Sequence, residues 1–279
     1  MLFVLKFLAI LLVIVGAARP QKLLRDSEVS IEGIDIVLAL DTSGSMRALD
    51  FEMNGRRYDR LTVVKKVVDD FIKKRPNDRI AMLAFASAAY TICPLTLDHD
   101  WLSLNLDRVG MGMIEDGTAI GSAIASALNR LQGSKIKSKI IILLTDGRNN
   151  AGITSPLTAA EAAKALGVKI YTIGAGALGQ APFPVKDQFG NTAIEMIDIE
   201  IDEDLLKNIA QVTGGKYYRA TDMVTLQNIY KEIDSLEKTK IEEIKYLSVE
   251  ELYKYFLYPA LLIFLFVILL SETVFRRIP

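Results

Sequence analysis

Residues 34–46 read IDIVLALDTSGSM, an apolar run that ends abruptly in a cluster of polar side chains. Apart from Asp35, the segment Ile34–Leu40 is apolar, which is typical of a central parallel strand covered on both faces. The next five residues, Asp41–Ser45, carry one carboxylate and three hydroxyl groups. Such clusters after a strand occur in acid proteases, phosphate-handling loops and divalent-metal sites, so the end of this strand is a candidate functional site.

The segment 33–237 alternates strand-like runs with amphipathic helical patterns, and no Pro/Gly/Ser-rich linker divides it. This alternation predicts an α/β fold with a doubly wound, mostly parallel six-stranded sheet covered by helices on both faces. The predicted strands are Ile34–Leu40, Ile80–Phe85, Ala89–Cys93, Ile140–Thr145, Lys169–Ile173 and Lys216–Arg219.

Three polar segments follow predicted strands or begin a predicted helix: Asp41–Ser45, Asp116–Thr118 and Thr145–Gly147. Ligands bind open α/β sheets outside the carboxyl ends of the strands, so these segments share one crevice if the first and fourth strands are neighbours. Their carboxylates and hydroxyls are hard ligands that suit Mg²⁺, Mn²⁺ or Ca²⁺. The single cysteine and single histidine of the chain exclude a zinc centre built from these residue types.

The pattern D-x-S-x-S after the first strand, with a later Thr and T-D-G after the fourth strand, resembles the metal-ion-dependent adhesion site of von Willebrand factor type A (VWA) domains. The resemblance covers residues 33–237 and implies a Rossmann-like sheet whose antiparallel edge strand is Ala89–Cys93. It also implies a divalent cation, Mg²⁺ foremost with Mn²⁺ or Ca²⁺ as alternatives, and a partner protein that offers a Glu or Asp to it. The ligands it implies are Asp41, Ser43, Ser45, Thr118 and Asp146.

A narrower resemblance rests on RPNDRIAMLAF, IEDGTAIGSAI, APFPVKDQFGN and TGGKYYRATD, which are similar to segments of membrane-anchored BatA-type aerotolerance proteins of bacteria. It implies an inner-membrane protein whose VWA domain faces the periplasm. It also implies other VWA membrane proteins and a MoxR-type ATPase as partners. Proteins of this type generally carry another hydrophobic span before the one that opens this chain.

Both ends of the chain are apolar. Residues 1–18 predict a transmembrane anchor, with a cleaved signal peptide as the alternative, and residues 255–275 predict a second transmembrane helix. Between them we expect a juxtamembrane segment over 19–32 and a stalk helix over 238–254. Basic residues flank both spans on different sides, so charge alone leaves the orientation open.

Other functions are disfavoured by particular residues. The balance of 33 basic and 34 acidic residues gives no reason to expect nucleic-acid binding. A haloacid-dehalogenase-type phosphatase, the enzymatic alternative, needs a second Asp where this chain has Ser43. The pattern Gly174-x-Gly176-x-x-Gly179 suggests a dinucleotide site, but prolines follow it where a helix would have to begin.

The segment 181–200, APFPVKDQFGNTAIEMIDIE, reads as a hairpin inserted before the last helices. Two interpretations remain open from the sequence. The hairpin contacts a partner near the rim of the metal site, or it extends the edge of the central sheet.

Overall fold

The computed structural model describes residues 2–24, 33–53, 55–136, 138–177, 179–186, 192–238 and 248–273. The chain divides into two compact units, Glu32–Ile241 and the terminal segments Met1–Ile31 with Glu242–Pro279. The helices are α1 Leu2–Ala17, α2 Arg60–Lys73, α3 His99–Arg108, α4 Ile120–Leu131, α5 Pro156–Ala165, α6 Glu203–Thr213, α7 Met223–Lys238 and α8 Lys254–Thr273. The strands are β1 Gln21–Leu24, β2 Asp35–Asp41, β3 Phe51–Met53, β4 Arg56–Tyr58, β5 Arg79–Phe85, β6 Ala89–Thr96, β7 Lys139–Thr145, β8 Lys169–Ala175, β9 Gly179–Lys186, β10 Thr192–Ile199, β11 Tyr217–Ala220 and β12 Ser248–Glu251.

The six strands predicted from the sequence form one sheet in the order β11-β8-β7-β2-β5-β6. Neighbouring strands run parallel from β11 to β5, and β6 pairs antiparallel with β5 at the edge. The α/β fold with a mostly parallel sheet and an antiparallel edge strand is therefore confirmed.

The central strand β2 explains the apolar run with which the domain begins. Its side chains alternate between two cores: Ile36, Leu38 and Leu40 lie in one, and Val37 and Ala39 lie in the other. The first core is closed by α2, α3 and α7, and the second by α4, α5 and α6. A strand covered on both faces excludes water from both, so nearly every position has to be apolar.

The strand order reverses next to β2. The chain passes from β2 to β5 on one side, and it later places β7 on the other side of β2. The helix that follows β2 along the chain is α2, the helix that follows β7 is α5, and these helices pack on opposite faces of the sheet. This arrangement opens a crevice at the carboxyl ends of β2 and β7. The first and fourth predicted strands are thus neighbours, as the convergence of the three polar segments requires.

The inserted segment forms a hairpin whose arms, β9 and β10, pair antiparallel as a separate two-stranded sheet. The interpretation that this hairpin extends the edge of the central sheet is therefore wrong. Residues 187–191, between the two arms, lie outside the described residues. A second, shorter hairpin, β3 with β4, was not predicted from the sequence.

In the terminal unit, α8 contains an apolar stretch long enough to cross a membrane, Lys254–Ser271, whereas the 16 residues of α1 fall short of that length. The predicted stalk helix over 238–254 is wrong at its far end, because Ser248–Glu251 form β12 and pair with β1. Local periodicity could not reveal a partner strand near the opposite end of the chain. Residues 239–247 of the stalk and 25–32 of the juxtamembrane segment lie outside the described part of the chain.

Candidate functional site

Four of the five predicted site residues form one hydrogen-bonded cluster at the carboxyl ends of β2 and β7. Asp41 ends β2, and its Oδ1 accepts a hydrogen bond from the Ser43 backbone N–H at 2.8 Å. The hydroxyl oxygens of Ser43 and Ser45 lie 3.0 Å apart, and Ser45 donates to Asp146 Oδ1 at 2.5 Å. Two segments about a hundred residues apart are therefore joined through the Ser45 hydroxyl.

Thr118, the fifth predicted residue, lies just before α4 and lines the same crevice as Ser45. Two asparagines after β7 hold this segment in place. The Thr118 backbone N–H donates to Asn150 Oδ1 at 2.7 Å, and the Ile120 N–H donates to Asn149 Oδ1 at 2.9 Å. These amide side chains satisfy N–H groups at the start of α4 that have no partner within the helix. Sequence reasoning did not identify either asparagine.

Asp116 fixes the loop that carries the two serines. Its Oδ1 accepts a hydrogen bond from the Gly44 N–H at 2.7 Å. A Cβ atom at Gly44 would lie only 2.9 Å from Asp116 Oδ2, so glycine is the residue that allows this close approach.

Asp41 is fully buried, and it forms no ion pair with any of the described residues. Its carboxylate is satisfied by the Ser43 N–H and by the Thr145 hydroxyl, which donates to Oδ2 at 2.5 Å. Burial and the nearby charge of Asp146 raise the pKa of Asp41 from 3.8 to about 7, against the effect of these hydrogen bonds. Asp41 is thus a carboxylate that a cation would stabilise in its charged form.

Asp146 has a basic partner that the sequence analysis missed. Arg60, fully buried at the first position of α2, donates from Nη1 to Asp146 Oδ2 at 2.8 Å. Its Nε and Nη2 hold both oxygens of Asp50, whose side chain is only 6% exposed. Burial raises the pKa of Asp146, and Arg60 opposes that rise. Arg60 therefore occupies one oxygen of Asp146 and leaves Oδ1 directed toward Ser45.

The backbone is shaped around this guanidinium at Gly176. A Cβ atom there would lie 2.3 Å from Arg60 Nη2, and the residue has a φ of +124°. The neighbouring Ala177 N–H donates to Asp50 Oδ2 at 3.2 Å. The glycine pattern that resembled a dinucleotide motif thus makes room for Arg60, and the strand β9 rather than a helix begins at Gly179.

The residues present fit a hard divalent cation. All candidate donors are oxygens, and within the described ranges no three His, Cys, Asp or Glu side chains converge closely enough to hold an ion by themselves. The hydroxyls of Ser43, Ser45 and Thr118 would therefore have to complete the ligand set. Among the described residues, Arg60 pairs with Asp50 and Asp146, and no ion pair is formed by Asp41, so these four side chains carry a formal charge of three minus one, or two negative charges. A dication balances that charge.

The crevice above this cluster has a volume of about 730 Å³. Its floor includes Ser45, Thr118 and Asp116, and the hairpin contributes one wall through Phe183, Ile197 and Ile199. The hairpin is tied to the site because the Leu49 N–H donates to the Pro182 carbonyl at 2.7 Å, close to the turn that carries Ser45. The wall is thus fixed relative to the candidate ligands.

Proteins with related sequences are known. A protein of Borreliella burgdorferi is 29% identical over 246 residues, which cover 88% of this chain and 71% of that protein. The chain spans 58% to 71% of the length of the curated relatives that it matches.

Solved structures share the fold. The BatB protein of Bacteroides thetaiotaomicron is 29% identical with a TM-score of 0.61, over 74% of this chain and 99% of that one. An aerotolerance-related membrane protein of Bacteroides fragilis is 27% identical with a TM-score of 0.61, over 75% of this chain and 100% of that one. The family model described as von Willebrand factor type A domain matches residues 35–232, the whole of the central sheet and most of its helices. The chain belongs to the von Willebrand factor type A domain family.

Proposed function

We propose that this chain is a membrane-anchored interaction module that binds an acidic side chain of a partner protein through a divalent cation. The observation that carries the proposal is the convergence of Asp41, Ser43, Ser45 and Asp146 at the strand-order reversal, with Thr118 in the same crevice. Mg²⁺ is the proposed cation because the donors are hard oxygens, and Mn²⁺ or Ca²⁺ suit the same ligands.

The residues of the chain divide this task. The Ser43, Ser45 and Thr118 hydroxyls and the Asp41 and Asp146 carboxylates hold the cation, and Arg60 orients Asp146. A cation held largely by neutral hydroxyls supplies an electrophilic position that a carboxylate from outside can occupy. The open crevice gives a partner access to this position, whereas the carboxylate of Asp41 is buried and hydrogen-bonded. This burial disfavours the phosphatase alternative, in which Asp41 would have to attack a substrate, and we assign the chain no catalysis.

The proposed anchoring uses both terminal helices, α1 and α8. These two helices pack against each other: a Cβ atom at Gly16 would lie 3.0 Å from Leu257 Cγ. The small residue permits the close approach that is common between membrane helices. We place the VWA domain outside the cytoplasm. We further propose other VWA membrane proteins and a MoxR-type ATPase as partners, on the sequence resemblance to BatA-type aerotolerance proteins alone.

The test is a crosslinking pull-down of the full chain from native membranes, in MgCl₂ and in EDTA. We expect a partner to be recovered in Mg²⁺ and lost in EDTA, and lost as well from the double variant Ser43→Ala with Asp146→Ala. The matched control is Ser126→Ala with Asp204→Ala, which removes one hydroxyl and one carboxylate away from the site. The same proteins recovered with and without Mg²⁺ would refute the proposal.

A further inference from the structure

The crevice is much larger than one carboxylate requires. Cavities of about 300–1,000 Å³ hold drug-sized ligands, so a volume of about 730 Å³ accommodates several side chains of a bound segment. A carboxylate on the cation would occupy only the floor beside Ser45 and Thr118. The remaining space lies against the hairpin.

The hairpin contributes three apolar side chains and two acidic ones, Asp198 and Glu200, to the lining of the crevice, and the strand register explains the position of the apolar ones. Glu195 pairs with Phe183 and Ile197 pairs with Ala181, and side chains two residues apart share a face. Phe183, Ile197 and Ile199 therefore project from one face, and all three line the crevice while remaining partly exposed. The opposite face of β10 carries Ile194 and Met196, which are exposed and do not line the crevice.

The charges at the rim distinguish the two sides of the crevice. Arg47 follows the serine loop, is exposed, and forms no ion pair with any residue that the structure describes. Arg148 and Glu200 pair with each other at 2.7 Å. Asp198, on the hairpin, is an acidic group without an ion pair in the described chain. Arg47 therefore favours an incoming acid on the serine side, where it opposes the charge of Asp116, and Asp198 disfavours an incoming acid on the hairpin side.

We propose that the crevice binds a short segment of a partner protein in which one Asp or Glu lies within two residues of a bulky apolar side chain. The acid reaches the cation position beside Ser45 and Thr118, and the apolar side chain packs on Phe183 and Ile197. Asp198 disfavours a continuous acidic tract. This inference rests on the proposed function and adds the feature by which the site discriminates among acidic partners.

The test uses randomised heptapeptides displayed on phage with Asp or Glu fixed at the centre, and a matched library with Asn or Gln there. Both are selected on the full chain in lipid nanodiscs containing Mg²⁺. The key variant is Ile197→Ala, and its matched control is Ile194→Ala on the opposite face of the same strand. A second variant, Ile197→Trp, narrows the crevice, and calorimetric titration with MgCl₂ verifies that each variant retains its cation site.

We expect the acid-centred library to be enriched over the amide-centred one, with bulky apolar residues within two positions of the acid. Ile197→Ala should weaken binding of the selected peptides by about tenfold, since lost methylene contacts in an apolar pocket reduce binding by about 10–200-fold. Ile194→Ala should leave binding unchanged, and Ile197→Trp should shift the preference toward smaller apolar residues.

Two outcomes separate this inference from the proposed function. Enrichment of acids with random flanking positions, or equal effects of Ile197→Ala and Ile194→Ala, would overturn the crevice assignment and leave the cation-bridged function intact. Equal recovery of the acid-centred and amide-centred libraries would overturn both.

Discussion

The two ends of the central sheet both bury carboxylates, but they neutralise them differently. At the amino ends, Asp35 is fully buried and accepts two hydrogen bonds from Arg79, at 2.8 and 2.7 Å. Glu237 reaches the same end from α7 and accepts from Lys169, Tyr171 and Ser138. Burial raises the pKa of Glu237, but these hydrogen bonds and the charge of Lys169 together lower it below its ordinary value.

At the carboxyl ends, the balance is reversed. Asp41 has only hydroxyl and N–H donors, Asp146 shares Arg60 with Asp50, and the pKa of both Asp41 and Asp146 is raised. The carboxylates at the amino ends are thus paired with basic side chains, whereas those at the carboxyl ends would be stabilised by an added positive charge. Buried carboxylates therefore do not by themselves indicate a functional site. Buried carboxylates with too few basic partners do.

The largest expected effect comes from Arg60→Met, which removes the guanidinium that pairs with Asp50 and Asp146. Asp50 and Asp146 would then be buried charges without a basic partner, so we expect a loss of about 3–5 kcal/mol in the free energy of unfolding in EDTA. Urea titration followed by the fluorescence of Trp101, the only tryptophan, measures it. The exposed Arg148→Met serves as control, with an expected loss below about 1 kcal/mol. Equal losses in the two variants would refute a stabilising role for Arg60.

The next largest effects are expected from Asp41→Asn and Asp35→Asn, which separate Mg²⁺ binding from folding stability at the two ends of the sheet. Asp41→Asn should weaken Mg²⁺ binding by about 100-fold or more, since even residues that only support metal ligands contribute about 10–100-fold. Its metal-free stability should not fall, because a buried charge is removed and an amide oxygen can still accept the Ser43 N–H. Asp35→Asn should leave Mg²⁺ binding unchanged and destabilise the fold. Calorimetry with MgCl₂ and urea titration measure both, and unaltered Mg²⁺ binding by Asp41→Asn would contradict the assignment.

A smaller effect is expected at the amino ends from Glu237→Gln. The substitution weakens charge-assisted hydrogen bonds from Lys169 and Tyr171, which contribute about 1.5–3 kcal/mol when a charged group is involved. Glu232→Gln on the same helix is the control, because Glu232 pairs with Lys216 on the surface and should contribute less than about 1 kcal/mol. Mg²⁺ affinity should be unchanged in both variants. A change in Mg²⁺ affinity for Glu237→Gln would show that the two ends are not independent.

The sequence sufficed for the parts of this molecule that depend on local pattern. The apolar runs located all six strands of the sheet, and the polar residues directly after them located the crevice. The neighbouring position of β2 and β7 was the condition on which the site depended, and the structure meets it. That the five residues bind a metal stays a prediction.

Long-range pairing was not visible in the sequence. Arg60 is 86 residues from Asp146, and at a helix start it reads as an ordinary surface residue. Asn149 and Asn150 were not identified from the sequence, although they position Thr118 and α4 across about 30 residues. The pairing of β12 with β1 was not predicted either, because the two strands lie near opposite ends of the sequence. Elements are encoded by neighbouring residues, whereas their electrostatic partners are set by the topology.

The smallest predicted effect is a difference in pH dependence. Because the folded pKa of Asp41 is raised to about 7, its contribution to stability is present below pH 3.8 and is lost as the pH rises through about 7. Glu237 has the opposite sign: its contribution is present above pH 4.5 and is lost as the pH falls through its lowered folded pKa. Between pH 6 and 7 the Asp41 contribution therefore changes by about 1 kcal/mol for one proton, whereas that of Glu237 does not change.

A bound cation keeps Asp41 ionised and removes this slope, so Mg²⁺ should stabilise the chain more at pH 7 than at pH 6. About 1 kcal/mol corresponds to about 2–4 °C for a domain of this size, so the Mg²⁺-induced rise in Tm should be larger at pH 7 by that amount. Thermal unfolding in EDTA and in MgCl₂ at the two pH values measures it. Asp41→Asn should abolish the difference and Glu237→Gln should preserve it, because Asp41 lies at the candidate cation site and Glu237 lies at the opposite end of the sheet. A pH-independent Mg²⁺ effect in the unsubstituted chain would mean that Asp41 does not exchange a proton for the cation.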